Sequence, residues 1–247
     1  MTTDTLPKVE RELVKSDHEL QLDVLRQLEW VPRVDAARVA VAVQDGVVTL
    51  SGRVASYAQR CAAEQAAKSV FGVRAVANKI EVEPTDDTKV TDEDIAAAAV
   101  SALKWNIFVP ARNIKVIVDH GWVTLEGIVN WQFQKEAAED AMRNLSGVIG
   151  VTNRIVVRPR VDPGDIKSRI EEAFRRHAVL DARRIAVEVD GRNVILRGDV
   201  GSWVQRDVAE RAAWSAPGVE RVENHIAVRP VRTVTAAPPA EAMAPAH

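Results

Sequence analysis

The residues that could do chemistry recur at three equivalent places in the sequence. Each glutamate follows a basic residue by four positions, and a glutamine stands just before that basic residue. The glutamates are Glu64, Glu139 and Glu210, and the glutamines are Gln59, Gln134 and Gln205. A recurring carboxylate could act as a general acid or base. On a helix, however, residues four apart are neighbours, so an ion pair accounts for the glutamates. We interpret the glutamines as hydrogen-bonding groups early in a helix.

An asparagine also recurs, as Asn78, Asn153 and Asn224. Its amide could bind a polar ligand, but a short polar side chain within a strand more often bonds to nearby backbone. We favour the structural role. The next position is basic in all three copies, as Lys79, Arg154 and His225. These side chains could meet phosphates or lipid headgroups, but we favour a solvated strand edge, because three charges make only a modest cluster.

The remaining reactive residues indicate no catalytic or metal centre. The five histidines occupy unrelated positions, and no pair has metal-ligand spacing within one element. Cys61 is the single cysteine, so an intramolecular disulfide is excluded. We interpret Cys61 as an incidental thiol on an exposed helix face. The sequence therefore predicts no enzyme activity, no metal and no cofactor.

The elements that position these residues repeat with them. Residues 20–84, 95–159 and 166–230 align without a gap, which indicates duplication of one folding unit. Each copy begins with apolar residues at helical spacing, such as Leu20, Val24 and Leu28. A hairpin pattern of alternating residues follows, and Asp45-Gly46 is suited to its tight turn. An alanine-rich helix and a final alternating strand complete the unit.

The fold class predicted is α+β, with three tandem α-β-β-α-β units. Each unit is a three-stranded mixed sheet with two helices on one face. We expect a polar lead-in over residues 1–15 and an alanine- and proline-rich, disordered segment over 231–247. The units are expected at 16–84, 91–159 and 162–230.

The order of hairpin, glycine, alanine-rich helix, Gly-Val and Val-x-Asn-x-Ile-x-Val resembles the BON domain family. In the first unit the resemblance is carried by Gly52, Gly72-Val73 and 76–82, and matching residues stand in the other two units. The resemblance implies a non-enzymatic bacterial protein of the osmotic-stress and envelope type. It also implies contact with anionic phospholipid or a membrane surface.

Aromatic residues concentrate in the middle unit, as Trp105, Phe108, Trp122, Trp131 and Phe133. Alternation places Trp122 on the sheet face opposite the core, and alignment with two serines predicts an exposed Trp131 at the start of a helix. Exposed aromatics are typical of interfaces and membrane contacts. Packing between the units is an equally good explanation, and Trp105, which matches Trp30, could instead cover the core.

Bulk composition limits the partners. A formal net charge of -2 argues against nucleic acid as a partner. The first residues do not read as a signal peptide, so we expect a cytoplasmic protein with peripheral membrane contact as an option, and we favour the periplasm less. The predicted partner is an anionic phospholipid surface. The alternative is a protein-interaction or self-assembling scaffold module.

Overall fold

A computed structural model describes residues 15–84, 90–159, 165–177 and 180–229. The lead-in predicted over 1–15 lies almost wholly outside the described residues, and so does the segment predicted over 231–247. In the described part of the chain, no helix has both the length and the apolar character needed to cross a bilayer.

Three units of identical element order follow one another, as the sequence predicts. The first contains α1 (Asp17–Trp30), β1 (Val39–Gln44), β2 (Val47–Val54), α2 (Tyr57–Ser69) and β3 (Ala75–Val82). The second contains α3 (Asp92–Trp105), β4 (Ile114–Asp119), β5 (Trp122–Val129), α4 (Gln132–Arg143) and β6 (Gly150–Val157). The third contains α5 (Ile166–Arg176), β7 (Ile185–Asp190), β8 (Asn193–Val200), α6 (Trp203–Trp214) and β9 (Arg221–Val228). A short 3₁₀ turn precedes the first strand of each unit, as at Ala36–Arg38.

Each sheet is mixed, which confirms the predicted fold class. The first two strands of a unit pair antiparallel through the hairpin, and the third pairs parallel with the second, for example in the register Leu50↔Asn78. The second strand is therefore the central strand in all three sheets. A parallel pair needs a crossover connection, and the second helix of each unit provides it.

The core of each unit lies between its sheet and its helices. Leu20, Val24 and Leu28 on α1 are buried, as the helical spacing predicts. On α2 the buried residues are alanines, Ala63, Ala66 and Ala67, whose small side chains let the helix approach the sheet closely. The opposite face of each sheet carries the residues that alternation directs away from this core.

The hairpin turns confirm the prediction made from Asp45-Gly46. Asp45 and Gly46 have φ values of 53° and 75°, as a type I′ turn requires at both central residues. The carboxylate of Asp17 in the first turn of α1 accepts hydrogen bonds from the N–H groups of both turn residues, at 2.7 and 2.9 Å. One acidic side chain thus joins a helix N-terminus to the hairpin.

Candidate interaction surfaces

The most exposed large apolar side chains of the described residues lie at the last residue of α3 and just after it, in residues 105–108, which we call the aromatic loop. Trp105 is 87% exposed and Ile107 is 89% exposed, and Phe108 is exposed as well. Trp105 therefore does not cover the core. Side chains of this size normally bury most of their apolar surface. A group of them left exposed close together in the chain is a candidate contact site.

Hydrogen bonds fix the backbone of the aromatic loop. The Asn106 side chain accepts a hydrogen bond from the Phe108 N–H at 3.0 Å and donates one to the Ala137 carbonyl on α4 at 3.4 Å. Val109 is buried directly after the loop. Phe108 also packs edge-to-face on Phe133, with ring centroids 6.1 Å apart. The exposed side chains therefore stand on an anchored backbone.

The equivalent loop of the first unit provides a natural comparison. Trp30 occupies the position of Trp105 and is 81% exposed. Pro32 and Arg33 stand where the middle unit has Ile107 and Phe108. The first unit therefore presents a single large apolar side chain at this place, whereas the middle unit presents a cluster.

A second apolar surface covers the outer face of the middle sheet. Trp122 lies on that face, as alternation predicts, and remains 43% exposed. Its ring covers Gly150, where a Cβ atom would stand 2.5 Å from the indole. Its indole N–H donates to the Thr152 hydroxyl at 2.8 Å. Three further exposed aliphatic residues of the middle sheet are Ile117, Ile128 and Val156.

Trp131 differs from the prediction of an exposed side chain. It is the N-cap of α4 and is half-buried. Together with Phe133 it lines a cleft of about 400 Å³ against Trp214 of the third unit. Trp131 therefore belongs to a junction between units, whereas Trp105, Phe108 and Trp122 face outward.

The recurring basic position does not form one cluster. Lys79, Arg154 and His225 are all exposed, each on the outer face of a different sheet. Arg154 lies 3.6 Å from a Glu126 carboxylate oxygen, and His225 lies 3.5 Å from one of Glu223. The Glu126 carboxylate offsets the positive charge of Arg154, and the His225 imidazole is charged only when protonated, so these three positions do not form a strong anion site.

The recurring asparagine and glutamate join the second helix to the third strand. The Asn153 amide donates to the Lys135 carbonyl at 2.9 Å and to the Glu139 carboxylate at 3.2 Å. Its side-chain oxygen accepts from the Ile155 N–H at 3.2 Å. Asn78 makes the same three contacts in the first unit. These residues serve the fold, and they use their polar atoms to do so.

The glutamate ion pair runs to the residue one turn later rather than one turn earlier. The Lys68 ammonium lies 2.6 Å from the Glu64 carboxylate, and the Arg143 guanidinium lies 3.0 Å from that of Glu139. Burial acts to raise the pKa of Glu64, but hydrogen bonds from Lys68 and Asn78 outweigh it and hold that pKa below its usual value. The carboxylate is thereby kept ionised, which does not suit a general acid at neutral pH.

The recurring glutamines fill the role predicted for them. The Gln59 side-chain oxygen accepts a hydrogen bond from the Ala55 N–H at 2.9 Å, and that of Gln134 accepts one from the Asn130 N–H at 3.0 Å. They therefore fix the chain as it enters the second helix.

Ile107, Ile117, Ile128 and Val156 belong to the exposed surfaces but were not among the predicted contact residues. For the three sheet residues the signal was present, because period-two alternation directs them to the same face as Trp122. Ile107 lies in a loop without periodicity, so no pattern could reveal its exposure.

The fold is that of a protein built from three repeated α+β units. The family model of the BON domain matches residues 16–84, 91–159 and 162–230. The chain belongs to the BON domain family, and the family resemblance seen in its sequence is confirmed.

A relative from Escherichia coli strain K12, osmotically-inducible protein Y, is 34% identical over 124 residues. That match spans 49% of this chain and 62% of the relative. Two solved structures from Chlamydia trachomatis are also similar: CdsD, a structural protein of the type III secretion system, and its C-terminal domain. The CdsD structure is 13% identical, with a TM-score of 0.23, and the match covers 85% of this chain and 92% of that one. The C-terminal domain is 12% identical, with a TM-score of 0.24, and the match covers 87% of this chain and 100% of that one. Scores this low carry no argument about this chain.

Proposed function

We propose that this is a non-enzymatic binding protein of the bacterial osmotic-stress type, which contacts anionic phospholipid surfaces through the aromatic loop of its middle unit. The observation that carries the proposal is the exposure of Trp105 and Ile107 beside Phe108. Residues 104–112 begin with Lys104 and end with Arg112, both exposed, and contain no acidic residue. An apolar tip between two cations matches the membrane–water interface.

The expected affinity is modest and reversible. Burying a large apolar side chain contributes about 1.5–3 kcal/mol, so three side chains contribute about 4.5–9 kcal/mol. That is comparable to one myristoyl chain, which gives about 10⁴ M⁻¹ and requires a second signal for stable anchoring. Each cation near an anionic surface adds about 1 kcal/mol, so Lys104 and Arg112 supply that second signal.

Sedimentation with lipid vesicles tests the proposal. Lys104 and Arg112 together should add about 2 kcal/mol on an anionic surface. Because about 1.4 kcal/mol corresponds to a tenfold change in affinity, we expect the chain to bind vesicles containing phosphatidylglycerol about 30-fold more tightly than vesicles of pure phosphatidylcholine. The preference should fall at high salt because the Debye length shortens to about 3 Å at 1 M. No binding to anionic vesicles at low salt would refute the proposal.

Location forms part of the same proposal. The cytoplasmic location predicted from the sequence gains no support from the comparisons, and membership of a family of the envelope type favours the periplasm. We therefore propose an envelope location. Fractionation of osmotically stressed cells, with a cytoplasmic enzyme as marker, would contradict it by recovering the protein with that marker.

The outer face of the middle sheet favours a second function, assembly with other protein chains. Trp122, Ile117, Ile128 and Val156 resemble the apolar centre of a protein interface more than a membrane tip, because they form a face and not a protrusion. Light scattering at rising concentration separates the two functions. A Trp122→Ala variant should dissociate any oligomer without weakening vesicle binding.

A further inference from the structure

The second helices of the three units carry matching surfaces at their two ends. Tyr57, Gln132 and Trp203 are equivalent and begin α2, α4 and α6. At the C-terminal ends of these helices the equivalent residues are Lys68, Arg143 and Trp214, each in the last turn of its helix. The contacts between units join the first group to the second.

The first helix start packs on the second unit. Tyr57 packs against the core of the middle unit. Burial raises the pKa of Tyr57 to about 12, and Glu139 and Arg143 of α4 are among the charges that act on it. The start of α2 therefore lies beside the end of α4.

The second helix start packs on the third unit. Gln132 and Phe133 line the cleft formed with Arg211 and Trp214 at the end of α6. Trp214 also packs against the core of the middle unit. The start of α4 therefore lies beside the end of α6.

The third helix start packs on the first unit. Trp203 packs against the core of the first unit, and the Lys68 ammonium at the end of α2 lies 5.9 Å from the centroid of its ring. Arg206 approaches the same ring at 4.9 Å. Both distances are typical of cation–π contacts.

These three junctions close on themselves. Each joins the start of one second helix to the end of another, and the third junction returns to the first unit. A head-to-tail contact that closes in this way generates a ring. A further cleft has Gln65, Glu136 and Asp207 in its lining, one residue from each of the three helices, so all three helices meet at one place.

We propose that the two ends of the second helix form a head-to-tail docking surface whose partner is another BON unit, and that the three copies close it into an intramolecular ring. The chain is thus a covalent counterpart of a cyclic trimer. The residues at the three junctions differ, so each helix end fits its own neighbour. The proposal does not depend on lipid binding, because it rests on the junctions between the ends of the second helices, whereas the lipid proposal rests on the exposed side chains of Trp105 and Ile107.

The reactivity of the single cysteine, Cys61, can be used to detect opening of the ring at a junction that Cys61 does not itself contact. Cys61 is half-buried on α2 beside Tyr57, within electrostatic reach of Arg143 of the middle unit. Trp203 contacts the other end of α2. In the full chain, Trp203→Ala should therefore raise the rate of Cys61 labelling by a thiol reagent at least tenfold, because opening one junction of a closed ring loosens the other two.

Two variants serve as controls. Trp203→Phe keeps an aromatic ring at the junction, and it loses no hydrogen bond, because the buried indole N–H of Trp203 has no partner among the described residues. The rate of Cys61 labelling in this variant should therefore stay within twofold of the parent. Trp30→Ala removes an exposed tryptophan outside the ring and should do the same. If the circular dichroism spectrum shows that Trp203→Ala does not fold, Trp214→Ala tests the same prediction at the second junction. Labelling within twofold of the parent in a folded junction variant would overturn the ring.

Discussion

Replacing Asn153 by alanine separates a structural role for the recurring polar residues from a binding role. The change removes three hydrogen bonds at once, and it leaves the Lys135 carbonyl, the Ile155 N–H and one Glu139 oxygen without that partner. Neutral hydrogen bonds contribute about 0.5–1.5 kcal/mol each and one to a charged group contributes about 1.5–3 kcal/mol. Because water replaces part of the loss at this half-buried site, we expect the free energy of unfolding to fall by about 2–4 kcal/mol.

Urea unfolding followed by circular dichroism measures this change. Arg154→Ala is the matched control, since Arg154 is the next residue on β6 and its exposed ion pair with Glu126 contributes about 0–1 kcal/mol. A ligand-binding asparagine would behave in the opposite way. Unchanged stability for Asn153→Ala together with lost vesicle binding would refute the structural interpretation.

Three further perturbations test the fold and the ring. Gly52 has a φ of 131°, and an added Cβ would stand far inside van der Waals contact with the Arg38 carbonyl oxygen, so Gly52→Ala should cost at least about 1–3 kcal/mol in urea unfolding; a neutral result would contradict the close approach. The pKa of Glu64 is lower in the folded protein than its unfolded value of about 4.5, so the ionised carboxylate stabilises the fold above pH 4.5, and this stabilisation is lost as the pH falls through the folded pKa. Glu64→Gln should therefore reduce the loss of stability below pH 4.5. The same dependence of stability on pH in the variant and the parent would contradict this role of Glu64. Burial raises the pKa of Asp207 despite the nearby Lys68, so the charged form of Asp207 is disfavoured in the folded protein. Asp207→Asn should therefore raise the urea midpoint at pH 7 but not near pH 3, where Asp207 is protonated. An equal rise of the midpoint at pH 7 and pH 3 would exclude the electrostatic cause.

The sequence predicts the units well because their elements depend on local periodicity. The stripe of Leu20, Val24 and Leu28 could form only one face of a helix, and the alternation around Asp45-Gly46 could form only a hairpin. Trp122 was placed on the outer sheet face for the same reason. These predictions succeed because the burial pattern within one unit repeats along the chain.

The junctions between units were beyond such reasoning. Periodicity indicates that α2 buries its alanines, but it does not indicate that Tyr57 at its start packs on a different unit. Trp131 is predicted to be exposed when its own unit is considered alone, but it is half-buried and lines a cleft that Trp214 of the third unit also lines. The prediction that Glu64 pairs with Arg60 was wrong for a related reason, since Lys68 also stands four residues away and only the packing selects between the two.

The matched loops of the first and middle units give the most direct test of membrane contact. Ile107→Ser and Phe108→Ser together remove two of the three inserted side chains, and at about 1.5–3 kcal/mol each they should weaken binding to phosphatidylglycerol vesicles at least 100-fold. Trp30→Ser removes one tryptophan of equal exposure that has no apolar neighbours in its loop, and it should weaken binding less than tenfold. Equal losses for the two variants, or no loss for the double variant, would contradict the claim that the aromatic loop is the membrane-contacting site.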